Sequence, residues 1–166
     1  MKKLIFAFTI LACTLSQAQN EVKIDLFDGL ILKSIEVSYE HFLNEESSLG
    51  ISAFFNLDEG ASFSYNEKTM FTPYFRHHFQ SRTNWRFFGE VFIGVNSGEK
   101  EIKIKDAPNT FKNYTDGALG IAVGTKYVSP KGFVIDIFGG IGRNLFNSNA
   151  PSIVPRAGIN IGYRIN

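Results

Sequence analysis

The 166-residue sequence has one cysteine, one tryptophan and no excess of charge of either sign, with 17 basic and 16 acidic residues. Each scarcity excludes a class of chemistry. Cys13 falls inside an N-terminal stretch that reads as an export signal. The exported chain would then hold no thiol, which excludes disulfides, zinc–thiolate centres and cysteine nucleophiles. Near-neutrality offers nucleic acid no electrostatic footing. No apolar run is long enough to cross a bilayer as a helix, and no segment carries the helical 3.6-residue period. The three histidines, His41, His77 and His78, have no spacing that would unite them on one ion. Neither a metal site nor a cofactor is expected.

The start of the chain has the parts of a cleavable signal. Lys2 and Lys3 supply the charge, Leu4 to Leu15 the apolar stretch, and Ser16-Gln17-Ala18 the small-x-Ala cut. A signal over 1–18 leaves one domain over 19–166. Ile10-Leu11-Ala12-Cys13 also loosely resembles a lipoprotein box, and that product too would be exported and held at a membrane.

Beyond it, a period of two dominates. In the terminal segment Val154 to Asn166, Ala157, Ile159, Ile161, Tyr163 and Ile165 share one strand face, opposite Arg156, Gly158, Asn160, Gly162 and Arg164. Ser34 to Leu43 sets Ile35, Val37, Tyr39, His41 and Leu43 against Glu36, Ser38, Glu40 and Phe42. Comparable alternation marks Leu49–Asn56, Phe71–Phe79, Trp85–Val95, Ala118–Tyr127 and Phe133–Gly142, making seven strands. Glu21 to Phe27, turning at Asp28-Gly29, supplies an eighth. Phe54, Tyr74, Phe88, Phe92 and Phe138 fall on the polar face, among many glycines and alanines. Gly117-x-x-Gly120 and Gly139-Gly140-x-Gly142 lie within strands and serve packing, not phosphate binding.

The connections alternate in length. Asn44–Ser47, Gln80–Asn84 and Ser129–Gly132 are short; Asp58–Glu67, Asn96–Asn113 and Asn144–Ser152 are long and polar. Phe79, Trp85, Phe87, Tyr127, Phe133 and Tyr163 sit on the apolar face beside short turns or the terminus, as a periplasmic-side aromatic girdle would. The fold class expected is all-β: an eight-stranded antiparallel up-and-down transmembrane barrel, apolar face outward.

On these residues the chain resembles the small outer-membrane β-barrel proteins of Gram-negative bacteria. It is most similar to an uncharacterised subgroup with a Tyr-Glu pair ending the first long strand, here Tyr39-Glu40, and a Pro-Tyr-aromatic-Arg segment, here Pro73-Tyr74-Phe75-Arg76. The resemblance implies the outer membrane as location. Its implied partners are outer-membrane lipid and, during biogenesis, the outer-membrane assembly machinery. Such proteins usually finish on an aromatic residue, whereas this chain stops at Asn166.

Inside such a barrel the expected charge network comprises Glu36, Glu40, Arg76, His78, Arg86, Glu90, Lys126, Asp136, Arg156 and Arg164. An eight-stranded lumen is just wide enough for side chains to fill. Balanced charges there should pair into a plug, with the small inward residues leaving room for long arginines or water. A narrow channel or transport-associated barrel is the alternative. His41 and His77 are expected on the lipid side. Barrel deacylases, by resemblance, use a His-x-Ser pair, and His78-Phe79-Gln80-Ser81 has the wrong spacing, so no enzymatic centre is expected. A soluble lipocalin-like barrel would invert the same alternation and place the apolar rows inside. Function falls to the surface loops in a structural, adhesive or binding role. The middle loop, with Lys100, Glu101, Lys103, Lys105 and Asp106, is the chief candidate for an unidentified partner.

Overall fold

The computed structural model describes residues 19–27, 29, 33–57, 67–79, 81, 83–102, 110–147 and 150–165; the expected signal over 1–18, with Cys13, lies outside them. Eight strands follow in chain order: β1 (Asn20–Asp25), β2 (Ser34–Phe42), β3 (Ser47–Asn56), β4 (Glu67–His78), β5 (Trp85–Ile102), β6 (Thr110–Val128), β7 (Phe133–Asn144) and β8 (Ile153–Ile165). Each pairs antiparallel with its neighbours, and β1 closes on β8 through pairs such as Val22↔Tyr163 and Ile24↔Ile161. Closure pairs every strand on both sides within the wall, as a strand wall in hydrocarbon requires.

The alternation resolves to one orientation. Val37, Ile51, Phe71, Val91, Ile121, Ile137 and Ile159 are exposed around the outer wall, while Glu40, Arg76, Glu90, Lys126 and Asp136 are buried within. Water would not tolerate a continuous belt of bare valine, isoleucine and phenylalanine, whereas lipid does. The lipocalin-like inversion is thereby overturned.

The connections sort by end. Turns 43–46, 79–84 and 129–132 join the strands at the end where β1 starts and β8 finishes; the longer connections β1–β2, β3–β4, β5–β6 and β7–β8 join strands whose ends lie opposite. At the tightest turn Gly132 adopts a φ of 87°, donates to the Ser129 carbonyl at 3.0 Å, and leaves Ser129 Oγ to accept from the Phe133 amide at 2.9 Å. That left-handed conformation suits glycine and resists side chains.

Three expectations need correction. The Asn96–Asn113 segment is largely paired strand: β5 and β6 continue as a ribbon from Asn96↔Asp116 out to Ile102↔Thr110, leaving 103–109 as the connection. Alternation fades from the sequence there while backbone pairing persists. Glu67, expected in a loop, starts β4. Asp28-Gly29 makes no two-residue hairpin turn, because β1 ends at Asp25 and β2 begins at Ser34. Asp28 itself, with Lys103, Lys105 and Asp106, lies outside the described residues.

Candidate functional site: a closed ionic ladder in the lumen

Every second residue of each strand points inward, so residues distant in sequence meet on the barrel axis. Glu40 of β2 is the hub. Its Oε2 accepts from Lys23 of β1 and Arg76 Nη1 (3.1 Å) and lies 3.0 Å from Lys126 Nζ; its Oε1 accepts from Ser48 Oγ at 2.6 Å. Asp136 of β7 ties the same group together, accepting from Lys23 Nζ at 2.6 Å and Arg76 Nη1 at 2.7 Å. Toward the loop end, Glu90 bridges Arg76 Nε (2.6 Å) and Arg156 Nη1 (2.7 Å), and Arg156 Nη2 reaches Glu36 at 3.1 Å. Toward the chain ends, Glu21 accepts from Lys126 Nζ at 2.6 Å and Arg164 Nε at 2.9 Å, and Arg164 Nη1 caps the ladder on Gln19 at 2.7 Å.

The ladder thus joins five carboxylates (Glu21, Glu36, Glu40, Glu90, Asp136) to five cations (Lys23, Arg76, Lys126, Arg156, Arg164). Its formal charge is zero. Balance is a physical requirement here, because an uncompensated buried ion costs several kcal/mol.

Aromatic rings fill the remaining volume. The Arg76 guanidinium lies 4.3 Å from the Phe88 ring centroid and 4.6 Å from that of Tyr74; Arg156 lies 5.0 Å from Phe92 and 5.2 Å from Phe138. Such stacking gives a desolvated cation a further favourable partner. Several inward glycines make space for these rings, while Gly162 makes room for the Lys23 stem. Phe88 faces Gly124 and Phe92 faces Gly120 across the β5–β6 ladder. A Cβ on Gly124 would fall 2.5 Å from Phe88 Cζ, and one on Gly120 2.2 Å from Phe92 Cζ. Above the ladder Phe54, Met70, Tyr74, Phe92, Ala118 and Val154 form an apolar layer.

Of the expected network, Glu36, Glu40, Arg76, His78, Glu90, Lys126, Asp136, Arg156 and Arg164 come together. Arg86 does not. Its side chain is exposed at the turn end, where Nη1 donates to the Glu45 carbonyl at 3.2 Å. It is the second residue of β5, so its inward direction opens onto the barrel mouth rather than the packed lumen. Sequence reasoning missed Glu21 and Lys23, both fully buried. Their alternation with Val22 and Ile24 was the available signal.

Phe79, Trp85, Phe87, Phe133 and Tyr163 are exposed on the outer wall and Tyr127 half-buried there, Trp85 and Tyr127 with ring centroids 5.2 Å apart. His77 is exposed, edge-on to Phe79 at 5.3 Å; His41 Nδ1 lies 2.7 Å from Asn20 Oδ1.

One contact escapes any reading of linear spacing. Ser48 Oγ lies 3.0 Å from His78 Nε2, so a hydroxyl and an imidazole do stand within reach, brought together across the β3–β4 pairing. The arrangement is unsuited to acyl transfer. Glu40 approaches the same Nε2 at 3.2 Å instead of orienting the ring through Nδ1, and the Ser48 hydroxyl donates to Glu40. Ser48 is also fully buried.

At the opposite end Asp116 organises the β7–β8 connection. Its carboxylate accepts from the amides of Gly117 (2.6 Å), Phe146 (2.9 Å) and Asn147 (3.0 Å). Burial pushes this carboxyl up, but the converging amides outweigh it and hold the group below its ordinary value of 3.8.

The closed eight-stranded wall has counterparts among solved structures. The N-terminal β-barrel domain of Pseudomonas aeruginosa OprF superposes with a TM-score of 0.58 at 15% identity, over 89% of this chain and 96% of that one. The fold is that of the small outer-membrane barrels. Neisserial surface protein A is a second such barrel, with a TM-score of 0.51 at 11% identity, over 89% of this chain and 93% of its own. No protein-family model matches this outer-membrane-type barrel, and no curated protein matches it by sequence.

Proposed function

We propose that this protein is a non-conducting barrel of the outer membrane, exported by a signal over 1–18 and inserted by the outer-membrane assembly machinery. Its chain ends and short turns face the periplasm and its longer connections face outward. Its role is structural or adhesive, carried at the outer surface by the β5–β6 ribbon and by the connections on either side of it. The observation that carries this reading is the continuous ladder from Gln19 to Glu36, which leaves a lumen occupied by paired ions and aromatic rings. An ion crossing such a lumen would have to separate buried partners.

The ribbon suits a contact role. Past Gly98, where β4 ends its pairing, β5 and β6 pair only with each other among the described residues, from Glu99↔Asn113 outward. An isolated two-stranded ribbon is only marginally stable and gains from a surface to rest on.

Planar-bilayer recording of the folded protein tests the plug, and no steady conductance is expected. Stable open channels would instead establish a narrow pore, and Glu90→Ala should then change their selectivity. Protease shaving of intact cells tests the orientation: cleavage should fall within 99–113 and spare 80–84, and the reverse pattern would overturn it.

A further inference from the structure

Outside the lumen, the wall formed by β5 to β8 carries an apolar groove of about 550 Å³, with Leu119, Ile121, Ile141 and Ile153 along its sides and Arg143 and Ser152 at its upper end. Arg143 is out of place on this face. It is exposed in register with Leu119 on β6 and Ile153 on β8, and among the described residues its guanidinium has no ion-pair or hydrogen-bond partner.

Its height on the wall explains how a cation can sit there. Phe133, in the lower girdle, is ten residues earlier on the same strand. Ten steps of about 3.3 Å, along a strand tilted by about 40°, climb about 25 Å, the height of the apolar band on such barrels. Arg143 therefore stands at the upper headgroup level. The groove thus runs from a cation at headgroup depth, unpaired among the described residues, down past Ile141 and Ile121 in the apolar belt.

We propose that this groove holds one phosphorylated glycolipid of the outer leaflet, with an acyl chain along Ile121 and Ile141 and a phosphate on Arg143, assisted by the Ser152 hydroxyl. Charge and depth select the ligand together. A neutral chain would fill the groove but ignore the arginine, and a soluble anion would meet the arginine but not the groove. The proposal rests on the orientation given above, which puts this end of the barrel in the outer leaflet.

Native mass spectrometry of the barrel folded in non-ionic detergent, with purified bisphosphorylated lipid A added, tests the assignment. One retained lipid per protein is expected. Arg143→Gln should weaken retention about tenfold, as for a lost charge-assisted hydrogen bond. Ile141→Trp, a change on the outer wall at a residue that lines the groove, should weaken it by filling the groove. Equal retention by both variants, or equal retention of the dephosphorylated lipid, overturns the proposal. So does equal retention of phosphatidylglycerol, which would reduce the site to a general anionic contact. A dimer that Ile141→Trp dissolves would also overturn it, assigning the groove to a second copy. If the variants fold and insert normally yet bind no lipid, this inference fails alone. A protein that stays monodisperse without detergent would sink the membrane reading itself.

Discussion

Replacing Glu40 by glutamine perturbs the ladder at its hub while preserving side-chain volume. The substitution removes one negative charge from a group of five carboxylates and five cations and leaves the lumen with a surplus positive charge. Loss of one member of a buried ion pair costs about 3–5 kcal/mol. The lower end applies here, because each affected cation keeps another carboxylate. Lys23 retains Asp136 at 2.6 Å, Arg76 retains Glu90 at 2.6 Å, and Lys126 retains Glu21 at 2.6 Å. Denaturant titration in lipid vesicles reads the change through Trp85, the chain's single tryptophan, which lies exposed on the outer wall. The double variant Glu40→Gln with Lys23→Met restores neutrality and should recover more than half of the loss. A cost under about 1 kcal/mol for the single variant would match a solvated surface pair instead. That outcome would mean the lumen is hydrated, and the argument for a plug would be refuted.

Gly124→Val should destabilise the barrel by about 1–3 kcal/mol or more, since its Cβ would meet Phe88 and Phe138; Gly139→Ala, in open space on the wall, should be neutral or stabilising by up to about 1 kcal/mol in the same titration. The Asp116 anchor should respond to acid in one direction. Its carboxyl is held below 3.8 when folded, so the stability it contributes is present above that value and is lost as pH falls through the lower folded value. Slow amide exchange at Phe146 and Asn147 should accordingly persist at pH 4, and Asp116→Asn should accelerate it at pH 4 and above; equal exchange in both proteins there would remove Asp116 from that role. Ser48→Ala should leave the fold and any cell-surface phenotype intact, and a lipid-hydrolysing activity lost in that variant would show the buried Ser48–His78 contact to be catalytic.

Strand number, face and end were legible because lipid and lumen impose opposite demands on adjacent residues. Ile35, Val37 and Tyr39 against Glu36, Ser38 and Glu40 state that demand without ambiguity. Where the demand lapses, the pattern lapses too. Ser97 to Ile102 and Thr110 to Asn113 stand clear of hydrocarbon, so their pairing left no alternation to read. Six residues make β1, and its alternation runs into the apolar Leu30-Ile31-Leu32, which obscured Lys23 at the centre of the ladder. Ser48 and His78 are thirty positions apart, and only the β3–β4 register joins them. Arg86 obeys the alternation and still falls outside the network, because facing inward differs from lying deep enough to be enclosed.

The Phe–Gly facings across β5 and β6 bear on how the strands find their alignment during assembly. On the lipid side a slide of two residues is almost invisible: Val91 would trade Ile121 for Leu119 or Val123, with little change in greasy contact. On the lumen side the same slide drives Phe88 onto Ala122 or Lys126 and draws the lysine away from Glu40 and Glu21. The outer wall determines that these strands enter a membrane. The interior alone can reject a misaligned copy, so errors in zippering should be detected only once the cylinder has shut.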